Sequence, residues 1–464
     1  MTGLLTRAAA SHTLSRQRNM KSCKVGNYSF QWTDLHLPSE TTDPLRHEYD
    51  ELGSDAVKAL QQLRQRKVDG GEASAGKFDM YAALREHHTE DATLADLWAE
   101  VHTVPDWVDW EQIERGQKFL YRYAMANLLG FALQGFLGEN SAASGVVEVL
   151  VRTGGFSTNS LRRRLIETFQ FLLQVTKNID AIKPDGEGHV TTVRVRLLHS
   201  AVRERIMKLV NTRVDYFDVD QFGVPVNTLD SIHSITTFCC NHMWLQLPLM
   251  GVYPSEQETA DYIALFRWIG YLLATPDEYF ATSARAKATM ESMLLHEQKL
   301  TDNSAVVGYN FVQCAKDLPP FNISADFIEA GSRVLNGDEL CDSLGLGRPG
   351  LLSYASFSGF CWFVKVLALA QRWCPSFDDA AVNFFRRRLH GAILGGQQGP
   401  PTMDFKHVPE LGKFTRKEGN GRPAVPYSPF SRPVESFFLL IFVLGCLPWV
   451  AIVVYFCALY RKAY

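Results

Sequence analysis

The sequence predicts an all-α body with one membrane helix near its C-terminal end, on three observations. Between about residues 105 and 395, apolar residues recur mostly at three- and four-residue spacing, the period of helices that bury one face. Alternating runs bounded by turn pairs, which would signal hairpins, are scarce. Phe437 to Tyr460 (FFLLIFVLGCLPWVAIVVYFCALY) carries no charge, and about 20 apolar residues cross a bilayer's hydrocarbon. With 464 residues, 46% of them apolar and 21% charged, the chain can bury a large core, which excludes a disordered, collagen-like or disulfide-scaffold protein. Its 47 Lys+Arg nearly balance 50 Asp+Glu, so no nucleic-acid partner is expected. Nine cysteines without a CxxC pair fit a reducing compartment.

Four segments follow in order. Residues 1–100 read as a basic N-terminal arm and a helical extension. Arg7, Arg16, Arg18, Lys21 and Lys24 precede the first acidic residue, Asp34, without a signal-peptide core. The same composition also fits a mitochondrial presequence, although Leu4, Leu5 and Leu14 make only a thin apolar face. Asp50 to Gln65 reads as helix, with no function attached. Residues 101–395 form the helical body. Residues 396–435 are dense in Pro and Gly without an apolar period, a tether that lets the body stand off a membrane or lie against it. The membrane helix occupies residues 436–460, where Pro448 is tolerated and Trp449, Tyr455 and Tyr460 suit lipid. Arg416, Lys417, Arg422 and Arg432 before it outnumber Arg461 and Lys462 after it, which places the body in the cytosol.

Within the body, Asp109 and Gln112 suggest a capping box opening a long helix whose Ile113, Leu120, Ala124, Leu128 and Phe131 share one face. GVVEVLVR (Gly145 to Arg152) has the propensity of a strand, but its helical neighbours make it a helix. It holds one carboxylate, Glu148, among aliphatics, either desolvated and raised in pKa or exposed on the outer face. Ser157 or Thr158 caps the next helix, through about Lys177, with a stripe of Leu161, Leu165, Leu172 and Val175. Arg164 and Thr168 fall on that stripe. A buried guanidinium needs an anion, here Glu148 or an anionic ligand, unless Arg164 snorkels at the stripe's edge. In HVTTVRVRLLHSAVRERIMKLV the face is Val195, Leu198, Val202, Ile206 and Leu209, with His199 on it and Arg196 and Arg203 a turn to either side. His199 is either a satisfied core histidine or the iron ligand of a heme pocket whose arginines pair with propionates.

GVVEVLVRTGG, RRRLIET, VRVRLLHSAVR, FGVPVNTLD and YIALFRWIGYLL, in this order, resemble the family joining bacterial latex-clearing rubber oxygenases to fungal ER-bound oxygenases, such as the prenyl-chain cleaving enzyme of mycophenolic acid biosynthesis. The likeness runs from about Trp98 to Phe280 and more weakly to about 390. It implies a globin-like core with noncovalent heme b, His199 as the iron ligand, and Glu148 as the base that removes an allylic proton. Arg164 and Thr168 correspond to positions needed for the heme site. Where rubber oxygenases carry a lysine that reaches the distal side of the iron, this chain has Glu167. Other motifs carry less: Gly345, Gly347 and Gly350 lack a preceding strand, Cys239, Cys240 and His242 do not share a helix face, and Pro225, Asn227 and Asp230 read as a turn and a cap.

The expected protein is thus a membrane-anchored, heme b-dependent oxygenase that uses dioxygen to cleave a C=C bond in a prenylated or isoprenoid lipophilic small molecule, in secondary metabolism. Glu148, Arg164 and Thr168 act in catalysis. His199, Arg164, Thr168, Arg196 and Arg203 hold the cofactor, and His199 holds the iron. The resemblance implies the endoplasmic reticulum, with a mitochondrial membrane as the alternative. The competing reading is a membrane-tethered scaffold, heme-binding or heme-free, that kept the fold and not the chemistry.

Overall fold

The computed structural model describes residues 21–70, 78–154, 157–319, 321–394 and, with breaks between 423 and 430, residues 416–463; side chains are described to Pro448, except that of Asn159. The basic arm before Lys21, part of the Gly turn before Ser157, most of the tether and the side chains of Trp449, Tyr455 and Tyr460 lie outside this set.

The described chain is helical apart from one hairpin, β1 (Ser22–Val25) and β2 (Tyr28–Gln31), paired antiparallel around Gly26 in the left-handed region, φ 53°. The helices used below are α1 (Glu51–Asp69), α2 (Ala92–His102), α3 (Trp110–Arg122), α4 (Ser144–Arg152), α5 (Thr158–Val175), α6 (Glu187–Val210) and α7 (Thr228–Ile235). They continue with α8 (Glu256–Leu272), α9 (Asp302–Ala315), α10 (Ala325–Asn336), α11 (Leu351–Trp373), α12 (Pro375–Leu389) and α13 (Pro433–Ala463).

Side chains set many of the starts. Asp50 accepts from Gly53 N at the head of α1, and Ser157 accepts from Ser160 N at the head of α5. Asn227 with Asp230, and Ser255 with Glu258, form capping boxes on α7 and α8. Asp109 caps α3 through the amides of Glu111 and Gln112, without the reciprocal bond the sequence suggested. GVVEVLVR is helical, because α4 packs on α9 and finds no strand to pair with among the described residues.

Two expectations need correction. The long helix expected after Asp109 breaks at Tyr123 (φ −108°, ψ 27°) and, after Ala124–Gly130, widens into π-helical turns over Phe131–Asn140. The widening turns Gln134 and Glu139 inward against two further π-helical stretches, Thr236–Cys240 and His242–Gln246. In the same way, the end of the tether is bound to the body. Arg422 donates to the carbonyls of Cys314 and Lys316, and buried Arg432 meets Asp317 (3.0 Å) and the carbonyl of Asn322 (2.7 Å).

The N-terminal extension is part of the body's core. Val57 and Leu60 of α1 and Leu97 and Val101 of α2 belong to the same apolar cluster as Leu120, Leu172, Leu197, Ile232, Trp268 and Phe357. α1 lies along α6, which is also flanked by α5. A smaller cluster of Val149, Val202, Ile206, Tyr216, Phe217 and Phe222 sits where α4 approaches α6.

Candidate active site

The long helix α6 carries His199 between two unlike environments. On one side is a narrow polar cleft whose wall includes Asp50, Arg196, Arg203, Thr228 and Ser231. On the other is an open, mainly apolar cavity of about 150 Å³. Val146, Val149, Leu150 and Thr153 of α4 and its end face His199 and Val202 across this cavity, and α7 closes it with Asp230, Ser231, Ser234 and Ile235, together with Leu273 and Thr275. Its wall is mainly aliphatic because α4 turns Val146, Val149 and Leu150 toward it, while Val147 and Val151 face the main core.

His199 makes no hydrogen bond to any described residue. Burial, with Arg203 nearby, lowers its pKa to about 4, so its imidazole is neutral at pH 7 with lone-pair capacity unspent.

The arginines expected beside it are committed elsewhere. Arg196 grips Asp50 in a two-point pair (2.8 and 2.8 Å) and reaches Glu100 at 2.7 Å, holding the head of α1 and the end of α2 against α6. Arg203 donates to Ser54 Oγ (2.8 Å) and to the carbonyls of Pro225 and Val226, fixing the turn before α7. Both are buried braces of the histidine helix, satisfied without an anionic ligand.

Glu148 is buried, as the first of its two sequence readings has it, and the cation beside it is Arg152 rather than Arg164. Arg152 Nη1 donates to Oε2 at 2.5 Å and Asn303 Nδ2 to Oε1 at 2.9 Å. Arg152 is held in turn by the carbonyl of Tyr216 and stacks on Phe217. The structure therefore places Glu148 on α4 beside the cavity residues, with its carboxylate turned toward α9. The four-residue spacing of Glu148 and Arg152 was the available signal for this pair.

Arg164 and Thr168 stand half-buried on α5, where Thr168 Oγ1 donates to the Arg164 carbonyl (3.0 Å) and Glu167 lies 3.8 Å from the guanidinium. Burial lowers the Arg164 pKa to about 10. Glu167 accepts from Arg163 at 2.8 Å. Neither Arg164 nor Thr168 is on the wall of the His199 cavity.

Asp230 is the residue that sequence reading took only as part of a turn and cap. It serves as a cap, accepting from Asn227 N, and lines the cavity as well. Burial and the Glu297 carboxylate push its carboxyl up to about 7, against His233 and Arg46. A Cβ on Gly145 would stand 2.9 Å from Asp230 Oδ1, so a larger residue there would push this carboxyl aside. Nothing in the capping pattern marks this second use; the signal lies in the approach of α4.

The described chain is thus a helical body that sets a neutral imidazole, without a hydrogen-bond partner among the described residues, against a mainly apolar cavity. Residues 120–366, more than half of the chain, match the family described as ER-bound oxygenase mpaB/B'/rubber oxygenase, catalytic domain, and the chain belongs to it. It is 22% identical over 276 residues to the rubber oxygenase of Streptomyces sp. (strain K30), spanning 56% of this chain and 62% of that protein. Its fold is similar to that of latex clearing protein in the closed state, with a TM-score of 0.56 and 17% identity over 77% of this chain and 93% of the other.

Proposed function

We propose that this chain is a membrane-anchored, heme b-dependent oxygenase that uses dioxygen to cleave a C=C bond in a prenylated or isoprenoid lipophilic small molecule. One observation carries the reading: in a chain of an oxygenase family, His199 presents a neutral nitrogen without a hydrogen-bond partner among the described residues, on an aliphatic cavity. The neutral His199 nitrogen suits an iron ligand and would hold the heme iron. Arg164 and Thr168, half-buried on α5 and off the wall of this cavity, are assigned to the polar edge of the macrocycle by the family resemblance alone, and Arg196 and Arg203 would brace the histidine helix. Heme iron supplies the activation of dioxygen.

The chain's own groups do the remaining work. Val146, Val149, Leu150, Val202 and Ile235 bind an apolar chain by displacing water from both surfaces, and keep water from the reacting bond. Glu148 Oε2 takes an allylic proton once it exchanges Arg152 for substrate, as the family resemblance implies. Asp230 supports a second assignment of that step: its carboxyl already faces the cavity with a pKa near the working pH. If Asp230 is the base, turnover rises with pH through about 7, and this limb is lost in Asp230→Asn.

α13, with its uncharged run, would place the protein in a membrane, which the family description suggests is the endoplasmic reticulum. The competing reading, a scaffold without chemistry, draws on Glu167, tied to Arg163. The test is spectroscopic. Purified full-length protein should show a Soret band that His199→Ala removes, and should consume oxygen with a prenylated substrate. A colourless protein after hemin addition would falsify the heme reading, and a coloured protein inert toward every prenylated compound would favour the scaffold.

A further inference from the structure

Resting on the membrane anchoring proposed above, we propose that α11 enters lipid together with α13, so that a paired apolar surface holds the body side-on against a bilayer. The expected loose tether would then be replaced by a fixed mount.

Three sets of observations carry this. First, α13 is bolted to the body where it begins. Buried Glu435 accepts from Ser324 N (2.5 Å) and Ser324 Oγ (3.0 Å) at the head of α10, and Ser356 Oγ of α11 donates to the Glu435 carbonyl (2.6 Å). With Arg432 on Asp317, the helix leaves the body from a set position.

Second, α11 and α13 run parallel in close contact. Ser356 meets Glu435, Phe360 packs edge-on to Phe438 (5.2 Å), and Trp362 lies against Phe442 (5.4 Å) one turn on. Two glycines permit this approach: a Cβ on Gly359 would overlap the Phe438 carbonyl, and one on Gly445 the Trp362 ring. Small residues at the contact are how helices pair where lipid, not water, surrounds them.

Third, the pair leaves apolar stripes uncovered. On α11, Val366, Leu369 and Trp373 are 65%, 40% and 82% exposed at three- and four-residue spacing. Phe377 and Phe384 of α12 are exposed too, and Leu440, Leu444 and Leu447 form an exposed row on α13 at three- and four-residue spacing. Among the described residues α11 is itself long and apolar enough to cross a membrane. Exposed Lys365 and Arg372 flank its stripe, and Arg387 and Arg388 close α12, cations that can reach headgroups while their stems cover hydrocarbon. Because α12 returns to the body through Asp378 and Asp379 on Lys118, α11 lies along the bilayer's edge with its outer stripe in lipid rather than leaving the body. The occupant of this face is a lipid bilayer, since the uncharged run of α13 continues from the same surface.

The full chain, reconstituted in phosphatidylcholine/phosphatidylserine vesicles with a diazirine-bearing phosphatidylcholine, should acquire photo-adducts on the α11 peptide carrying Val366–Trp373 as well as on α13. Val366→Glu with Leu369→Glu should lower the α11 adducts roughly tenfold and spare those on α13. Adducts on α13 alone would overturn the shared-membrane proposal and leave the anchor standing; adducts on neither would remove the anchor too. Crosslinks joining Lys365 of two copies, without lipid on α11, would assign this face to a second copy and equally overturn the proposal.

Discussion

Two regions of the core hold histidines in opposite ways. On the cavity side of α6, His199 has no partner among the described residues and room in front of it. In the π-helical region, His233 is bonded to Glu139 at 2.6 Å, and Glu139 is held in turn by Gln134 (3.0 Å) and by Asn241. A third case, His242, separates the two variables. Both its ring nitrogens are orphaned, and burial lowers its pKa to about 3, yet it is packed between Phe131 and Tyr262 and borders none of the described cavities. An orphaned imidazole alone is therefore a packing residue; an orphaned imidazole beside an apolar void can be a ligand.

The comparison breaks most visibly at His199, the proposed iron ligand. His199→Ala should abolish the Soret band, whereas His242→Phe should retain it, as read from absorbance of equal folded protein. Loss of heme in both would mean that core packing, not ligation, controls the site.

Next comes the proton. Glu148→Gln should keep heme and lower kcat about 10²- to 10⁴-fold, the usual worth of a positioned base. If Glu148→Gln turns over normally and Asp230→Asn does not, the step belongs to the carboxyl on the cavity wall.

Glu139→Leu tests the polar region. It removes the acceptor that holds buried His233, and leaving one partner of a buried hydrogen-bonded pair unsatisfied costs about 1–3 kcal/mol in denaturant unfolding. A loss below about 1 kcal/mol would show that the network contributes little.

pH separates the two regions by sign. His242, depressed from 6.5 to about 3, stabilises the fold above 6.5, and that stability is lost as pH falls toward about 3. His233 is raised by Glu139, so its contribution is present below 6.5 and fades as pH rises through its elevated folded value. His242→Phe should flatten the acid limb of stability measured from pH 7 to 4 and leave the alkaline limb unchanged.

The smallest effect is expected at Glu167→Gln. Its pair with the half-exposed Arg163 is worth about 0.3–0.5 kcal/mol, seen as a small drop in Tm.

Periodicity in the sequence was enough to mark the helices α5 and α6, their apolar stripes, and His199 on one of them, while α4, strand-like by propensity, was made a helix by its neighbours. Each is a local property: side-chain spacing and capping chemistry act within a few turns, so they can be read without knowing the neighbours. Glu148 was legible as a carboxylate among valines, and its cation was legible too, four residues on, though only once a helix was assumed.

The tertiary structure decided the rest, because burial of a charge is settled by elements far away in sequence. Asp50, more than a hundred residues from Arg196, claims that arginine; Asn303 claims Glu148; and Gly145 leaves room for the Asp230 carboxyl. The sequence alone also marked the uncharged run of α13 as long and apolar enough to cross a bilayer. Whether that helix hangs free or is fixed depended on Glu435 finding Ser324 and on Gly359 letting α11 come close, long-range contacts with no trace in local spacing.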